Sequence, residues 1–453
     1  MTRTVDFPAN AARVRGPRGL PLVGNLLPFM SDPLNFLRLL LERHGDVVEW
    51  DLGTSKALLV GHPEHVGEVL SQVESTFDFP DLGHAFRTLT GEGVATSRGA
   101  DWKRKRATAM PAVRPQQVQA YADVMVNSTL AHVARWRPGD RVDVYTEIRD
   151  LTRTIAVRAI FGSDPQGEGG DIEQALDVAQ EQIGADFRGV SALYPEWLIT
   201  PGRLRLRKAV AALDAEVARL VASYRQRPSE RENLLSRLMD ARDEDGAPLP
   251  DREVRDEAIT FYVAGHATTA ATLTWAYYLL SRNPETYEAM QAEVAEALGG
   301  RTPTHEDCAR LPYTEQVVKE TLRLYPPSWS LAHIAKDGAT VGGRAVEKGT
   351  LVFTSPWATQ RDRRWYHRPE EFRPERWAPG GETAGLPDHA WFPFGGGPRI
   401  CPGARYATVK TMLVLAVVAQ RFRLDVTPWE NPPYPGLTAY PRDPMQAFLR
   451  EVR

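Results

Sequence analysis

The sequence predicts a mainly α fold with small β-sheets in a single domain, and three features predict it. Helical hydrophobic periodicity covers most of the middle of the chain. Strand-like stretches are short and lie towards both ends. No linker separates one half from the other. A length of 453 residues allows about three domains at roughly 150 residues each, yet large helical folds also run as one unit.

Taken in order, residues 1–25 are Pro/Gly-rich and irregular, so the domain proper is expected over 26–453. Val47–Leu52 and Lys56–Val60 read as two strands around a Gly-Thr-Ser turn. Pro63–Val73 predicts a helix, with His62 and His65 on a solvated turn and helix start. Phe77–Gly99 breaks the pattern with scattered Gly and Pro. Helical signals dominate from Asp101 to about Arg227, interrupted near Tyr194–Gly202. Pro228–Pro250 is polar and reads as a solvated loop. The longest helical pattern runs from Asp251 to Asn283 and is stopped by Pro284. Its first turns carry Asp251, Glu253 and Asp256, the charge sign that a helix N-terminus favours. A further helix is predicted over Pro312–Leu324, ended by Tyr325-Pro326-Pro327. Residues 337–355 read as short strands with turns, and Pro356–Gly397 shows little periodicity. A last long helix starts just after Cys401 and ends near Phe422.

Composition narrows the function. With 42% hydrophobic and 25% charged residues the chain is an ordinary globular protein. A net charge of −3 lacks the basic excess that neutralising phosphates demands, which argues against a nucleic-acid partner. Two cysteines, Cys308 and Cys401, allow at most one disulfide, so a reducing compartment is expected. The N-terminus has no apolar core of a signal peptide, and the longest apolar run, Met412–Ala419, is far short of the about 20 residues of a membrane span. A cytoplasmic protein without a membrane anchor is expected.

Chemistry concentrates in Phe392-Pro-Phe-Gly-Gly-Gly-Pro-Arg-Ile-Cys401-Pro-Gly403. Three successive glycines allow a tight backbone path where side chains would collide with a flat partner. Cys401 follows just before a helix N-terminus, whose dipole and free N–H groups stabilise a thiolate. Pro402 lacks an N–H, so the donors come from Gly403 onward. Arg399 adds a cation two residues back. Elsewhere, Glu320 and Arg323 stand at i, i+3 on one helix face, where they can pair. Trp102 and Arg106 are one helical turn apart. Thr268, on the longest helix, can bond the carbonyl of Ala264. Gly265 leaves room for a small ligand at the backbone.

Together these segments resemble the cytochrome P450 family. Its haem-binding loop, Phe-x-x-Gly-x-Arg-x-Cys-x-Gly, is met by Phe394, Gly397, Arg399, Cys401 and Gly403. The resemblance implies a haem cofactor (heme b, iron protoporphyrin IX) whose iron is ligated by Cys401. A thiolate ligand donates electron density and favours O–O cleavage of O₂. By the same resemblance Trp102 and Arg106 donate to a haem propionate. His333 stands where many members carry a propionate-binding Arg, which would make haem binding somewhat pH-sensitive. Glu320, Arg323 and Arg376 of Pro374-Glu-Arg-Trp377 would form a buried network that fixes the Cys401 loop. The segment Ala264-Gly265-His266-Ala267-Thr268-Thr269 resembles the oxygen-binding groove, with Gly265, Thr268 and Thr269 in catalytic positions. One residue departs: Ala267 stands where the family usually has an acid. Water ordered by Thr268 and Thr269, His266, or a substrate hydroxyl must then relay protons.

The implied reaction is insertion of one oxygen atom of O₂ into a small apolar substrate. The electrons are expected from a separate ferredoxin or flavodoxin system. Lys103, Arg104 and Lys105 are candidates for a docking patch towards that external electron donor. The alternative, kept open by Ala267, is a peroxide-using or non-redox enzyme of the same fold. A haem-thiolate gas sensor is a third reading. The segments around Leu322–Trp329 and Ala271–Trp275 are similar to bacterial members acting on carotenoids and other terpenoids, so a terpenoid, carotenoid or fatty-acid-like substrate is expected. Phe79, Phe86, Tyr194, Trp197, Ala264, Trp329 and Leu437 are the candidate pocket residues.

Overall fold

The computed structural model describes residues 14–53, 55–80, 84–162, 178, 182, 198, 200–226, 233–243 and 246–452. Tyr194 and Trp197 lie outside the described residues. The chain forms two compact units, one from residues 1–80 with 316–401 and one from 81–315 with 402–453.

The first unit is built on a six-stranded sheet. In spatial order its strands are Val14–Arg15, Val47–Leu52, Ser55–Val60, Leu351–Thr354, Leu331–Ala335 and Phe77–Asp78. Val47–Leu52 and Ser55–Val60 pair antiparallel with Val47 opposite Val60, and Ser55–Val60 then runs parallel to Leu351–Thr354. Successive side chains of a strand point to opposite faces. Accordingly Val47, Leu58, Val60 and Val352 join one apolar cluster with Val66, Val69 and Leu70 of the helix Pro63–Ser71. Val48, Ala57, Leu59 and Phe353 join the other with Leu37 and Leu40 of the helix Pro33–His44. Both faces are covered, so these strands read as continuous apolar runs. Val14–Arg15 pairs with Val48–Glu49, so part of the segment expected to be irregular is a sheet edge.

The second unit is helical. Its centre is the helix Asp251–Arg282, with 20 buried residues, too many for a one-sided stripe. Helices Val144–Phe161 and Leu234–Asp240 pack against it, and Pro115–Val133 packs on Ala404–Ala419. A three-stranded sheet of Phe422–Val426, Gln446–Glu451 and Arg141–Asp143 completes the unit. Among the described residues no helix is long and apolar enough to cross a membrane.

Four local expectations need correction. The loop expected over Pro228–Pro250 contains the helix Leu234–Asp240. Asn233 and Ser236 cap it reciprocally, and Leu234, Leu235 and Leu238 are buried on one side. The broken stretch Phe77–Gly99 contains the helix His84–Thr90. The last long helix ends at Ala419, because Phe422–Val426 alternates buried and half-buried positions as a strand. His62 and His65 are buried rather than solvated, and the His62 ring caps its helix at Glu64 and meets Trp365 edge-on at 5.3 Å.

Candidate active site

The loop carrying Cys401 is a compact turn. The Cys401 amide donates to the Phe394 carbonyl at 2.9 Å, and the Gly395 amide to that of Phe392 at 2.9 Å. Gly395 and Gly397 have φ of +71° and +61°, the left-handed region that costs a side chain. A Cβ on Gly397 would sit 2.0 Å from the Leu70 carbonyl oxygen, so the turn packs against the helix Pro63–Ser71 only with glycine there. Cys401 is half-exposed and undisulfided. The chain then passes through Pro402 and Gly403 into the helix Ala404–Ala419, whose leading amides lie just beyond the sulfur in sequence. Cys308 is the contrast. It is buried in a short helical turn, and burial pushes its thiol up to about 11, the behaviour of an inert cysteine.

Glu320, Arg323 and Arg376 meet in a fully buried cluster behind this loop. Arg323 grips the Glu320 carboxylate with Nε and Nη2 at 2.9 and 2.8 Å, and Arg376 Nε reaches it at 3.1 Å. Trp377 Nε1 and the Arg373 amide also donate to it, at 2.9 and 3.0 Å. The remaining guanidinium donors go to the carbonyls of Gln360 and Pro369 from Arg323, and from Arg376 to those of His367 and Arg368 and to the Glu382 carboxylate. Two routes lead from the cluster to the loop. Gln360 donates to the carbonyls of Leu322 and Arg323 and accepts from the Phe392 amide at 2.9 Å. Trp377 packs at a tilt on Trp391 at 5.3 Å, and Trp391 meets Phe394 edge-on at 6.2 Å.

Arg399 is held by Glu74, with Nε and Nη2 at 2.7 and 2.5 Å, and its guanidinium lies 5.0 Å over the ring of Phe79. Glu74 was not among the residues predicted. His333, on the strand Leu331–Ala335, is 3% exposed, and neither ring nitrogen has a hydrogen-bond partner. Burial, with the charge of Arg399 nearby, pulls its pKa down to about 4. Trp329 is half-buried and packs against the Leu37–Phe353 face of the sheet.

In the second unit, the helix Asp251–Arg282 is buried nearly all round, yet Ala264 is exposed, and a Cβ on Gly265 would meet nothing within 4 Å. One face is therefore open at the turn where the groove was predicted. Thr268 Oγ1 donates to the Ala264 carbonyl at 2.6 Å, and Thr269 Oγ1 to that of Gly265 at 3.0 Å. His266 faces elsewhere. It is fully buried, its Nε2 lies 3.2 Å from the Arg149 carbonyl, and its ring stacks on Tyr262. Burial, next to the charge of Lys410, pulls it down to about 3, so it is neutral and not a ready proton source. Trp102 is buried on the helix Gly99–Ala109, with the Arg106 guanidinium 5.8 Å from its ring. Phe86 is core beside Val157 and Phe161, and Leu437 packs on the same cluster.

The expected docking patch shrinks. Lys103 is exposed, but Arg104 makes two bonds of 2.9 Å to Glu253, and Lys105 is buried and paired with Asp101 at 2.6 Å. Two further ionisable groups were missed. Glu257 is buried, and desolvation pushes its carboxyl up to about 8. Lys410 is buried and donates to the Gly265 carbonyl at 2.7 Å. Its signal was present: a lysine just ahead of the apolar run Met412–Ala419.

The Cys401 turn is braced by a buried ion cluster, and the helix Asp251–Arg282 has a threonine-lined opening in its buried face. A cytochrome P450 family model matches residues 14–440, and the chain belongs to that family. It is 34% identical to a cyclooctatin synthase of Streptomyces melanosporofaciens over 100% of this chain and 97% of that protein. A cyclooctat-9-en-7-ol 5-monooxygenase of the same organism is 35% identical over 91% of this chain and 89% of its own. A pentalenene oxygenase of Streptomyces avermitilis is 32% identical, covering 91% of each. Among solved structures, a retinoic acid-bound cyanobacterial P450 superposes with a TM-score of 0.82 at 24% identity, over 98% of this chain and 100% of that one. The fold is therefore the mainly helical, single-domain P450 fold with small β-sheets, and the chain is a P450 monooxygenase.

The residues present fit the haem this family uses. His333 has two buried nitrogens without partners, and a propionate carboxylate would accept from the one that carries the N–H. The exposed Ala264 and the open Cβ direction at Gly265 leave space on a helix that is otherwise packed.

Proposed function

We propose that this monooxygenase inserts one oxygen atom of O₂ into a terpenoid-type apolar substrate, with haem held by Cys401 and electrons from a separate ferredoxin or flavodoxin. The observation that carries the haem-binding part is the Cys401 turn, whose backbone bonds and glycines present a half-exposed sulfur ahead of a helix N-terminus. The substrate class is supported by the three relatives, each named for cyclooctatin, cyclooctat-9-en-7-ol or pentalenene.

When bound, a thiolate-ligated haem supplies activation and cleavage of O₂. The chain does the rest. Helix-end amides beyond Cys401 favour the thiolate over the thiol. Trp102, Arg106 and His333 would donate to the propionates. Arg399, already neutralised by Glu74, adds local positive field more than a free charge. The open turn Ala264–Thr268 would receive the small ligand, and the Thr268 hydroxyl, which donates to the Ala264 carbonyl, would pass a proton. Ala264 offers an apolar methyl to the substrate. The test is a spectral titration of purified ferric protein with terpenoids, carotenoids and fatty acids, followed by turnover with a reductase system. Terpenoids should displace iron-bound water and yield a product heavier by one oxygen. Selective binding of fatty acids would overturn the substrate class. Product with H₂O₂ alone and none with a reductase would overturn the O₂-dependent reading.

A further inference from the structure

We propose that Lys410 is the proton-supplying positioning residue of the oxygen-side turn, standing in for the acid that Ala267 lacks; this rests on the monooxygenase reading above. Its amine enters the same helical turn as Thr268. Lys410 Nζ donates to the Gly265 carbonyl at 2.7 Å, and the neighbouring Ala264 carbonyl takes the Thr268 hydroxyl at 2.6 Å. The Gly265 carbonyl already accepts from Thr269 Oγ1 at 3.0 Å and lies in an unbroken helix, so it does not need the lysine. An amine buried without a counter-ion is expensive, and a leucine or methionine would fit this apolar helix at no such cost. A costly group with no structural necessity, placed one residue from the proton-bearing turn, points to chemistry.

The surroundings support the role. Tyr406, one turn back on the same helix, has its ring 5.2 Å from Nζ, and Tyr121 of the helix Pro115–Val133 meets that ring edge-on. His266 lies on the helix Asp251–Arg282, and Arg149 and Arg153 of Val144–Phe161 act on it in turn. Among the described residues no carboxylate pairs with Lys410. Burial alone pulls its pKa down to about 7, so amine and ammonium coexist near neutrality, as a relay requires.

The net reaction is RH + O₂ + 2 e⁻ + 2 H⁺ → ROH + H₂O, with electrons from the external iron–sulfur or flavin donor. In the step assigned here an ammonium N–H bond breaks. Its proton passes through water in the turn to Thr268 Oγ1, whose own proton moves forward to the dioxygen being reduced. The amine then takes a proton from solvent.

The test compares wild type with Lys410→Gln, which keeps an N–H donor for Gly265 but has no proton to release. In the haem-loaded enzyme, product per electron pair should fall roughly tenfold or more in the variant, and the wild-type pH dependence around neutrality should vanish. A second readout needs no turnover. The unfolded lysine binds protons up to about pH 10.4, so wild-type thermal stability should rise relative to the Gln variant between about pH 7 and that value. If Gln disturbs the helix, Lys410→Met makes the same comparison. Wild-type product with an unaltered pH profile and coupling in both variants overturns the proton role alone. A wild type that makes no product with any reductase system overturns the monooxygenase reading, and the proton role with it.

Discussion

Burial sets the charge state of three side chains against their residue types. His266 is neutral because burial and the charges of Lys410, Arg153 and Arg149 all disfavour its cation, Lys410 sits near its midpoint at pH 7, and Glu257 keeps its proton up to about pH 8. Glu257 has a stability consequence with a definite sign. Its folded pKa lies above the unfolded value of about 4.3, so the folded state binds more protons between the two. Stability is fully present below about pH 4.3 and falls as pH rises to about 8, by up to about 1.4 kcal/mol per unit crossed. Glu257→Gln should remove that fall, making the variant more stable than wild type at pH 8 with little difference at pH 4.5. Thermal melts at the two pH values check it, and equal slopes for both proteins would contradict it. Above pH 7 the Lys410 contribution opposes that of Glu257, so the wild-type slope alone understates each.

At the scale of elements, the Cys401 loop depends on a charge cluster it does not contain. Glu320 carries two buried guanidiniums, both with side chains 0% exposed. Glu320→Gln should leave Arg323 without its carboxylate partner, with Arg376 keeping only Glu382, and cost about 3–5 kcal/mol. Because Gln360 and Trp377 transmit the cluster to Phe392 and Phe394, the variant should also release haem faster than wild type. Melting and haem retention on dilution measure both effects. Loss of stability with unchanged haem retention would show that the cluster does not set the loop. Much of this was legible in the sequence, because the Cys401 turn is local: three glycines, a proline and the cysteine declare it within ten residues. The helices Pro312–Leu324 and Asp251–Arg282 were legible from periodicity and flanking prolines. What was missed depends on partners far along the chain. Lys410 meets Gly265 across 145 residues, and Arg399 meets Glu74 across 325. The helix Leu234–Asp240 was hidden by its polar flanks, although Leu234, Leu235 and Leu238 carried the spacing. Arg104 and Lys105 read as part of a docking patch only because Glu253 and Asp101 were not yet opposite them.

For the molecule as a whole, the family is fixed by a match over residues 14–440, while the substrate class leans on relatives 32–35% identical. The candidate pocket residues divide accordingly. Phe86 is buried in a core cluster, Leu437 and Trp329 pack half-buried against core clusters, Phe79 lies under Arg399, and Ala264 keeps an open face. Every functional assignment finally depends on sulfur ligating iron at position 401. The direct measurement is the carbonyl-treated, reduced absorption spectrum of gently purified, haem-loaded wild type beside Cys401→Ser. Wild type should show the strongly red-shifted Soret band of a thiolate-ligated haem, and the serine variant should lose it. The same band position in both proteins would contradict the assignment.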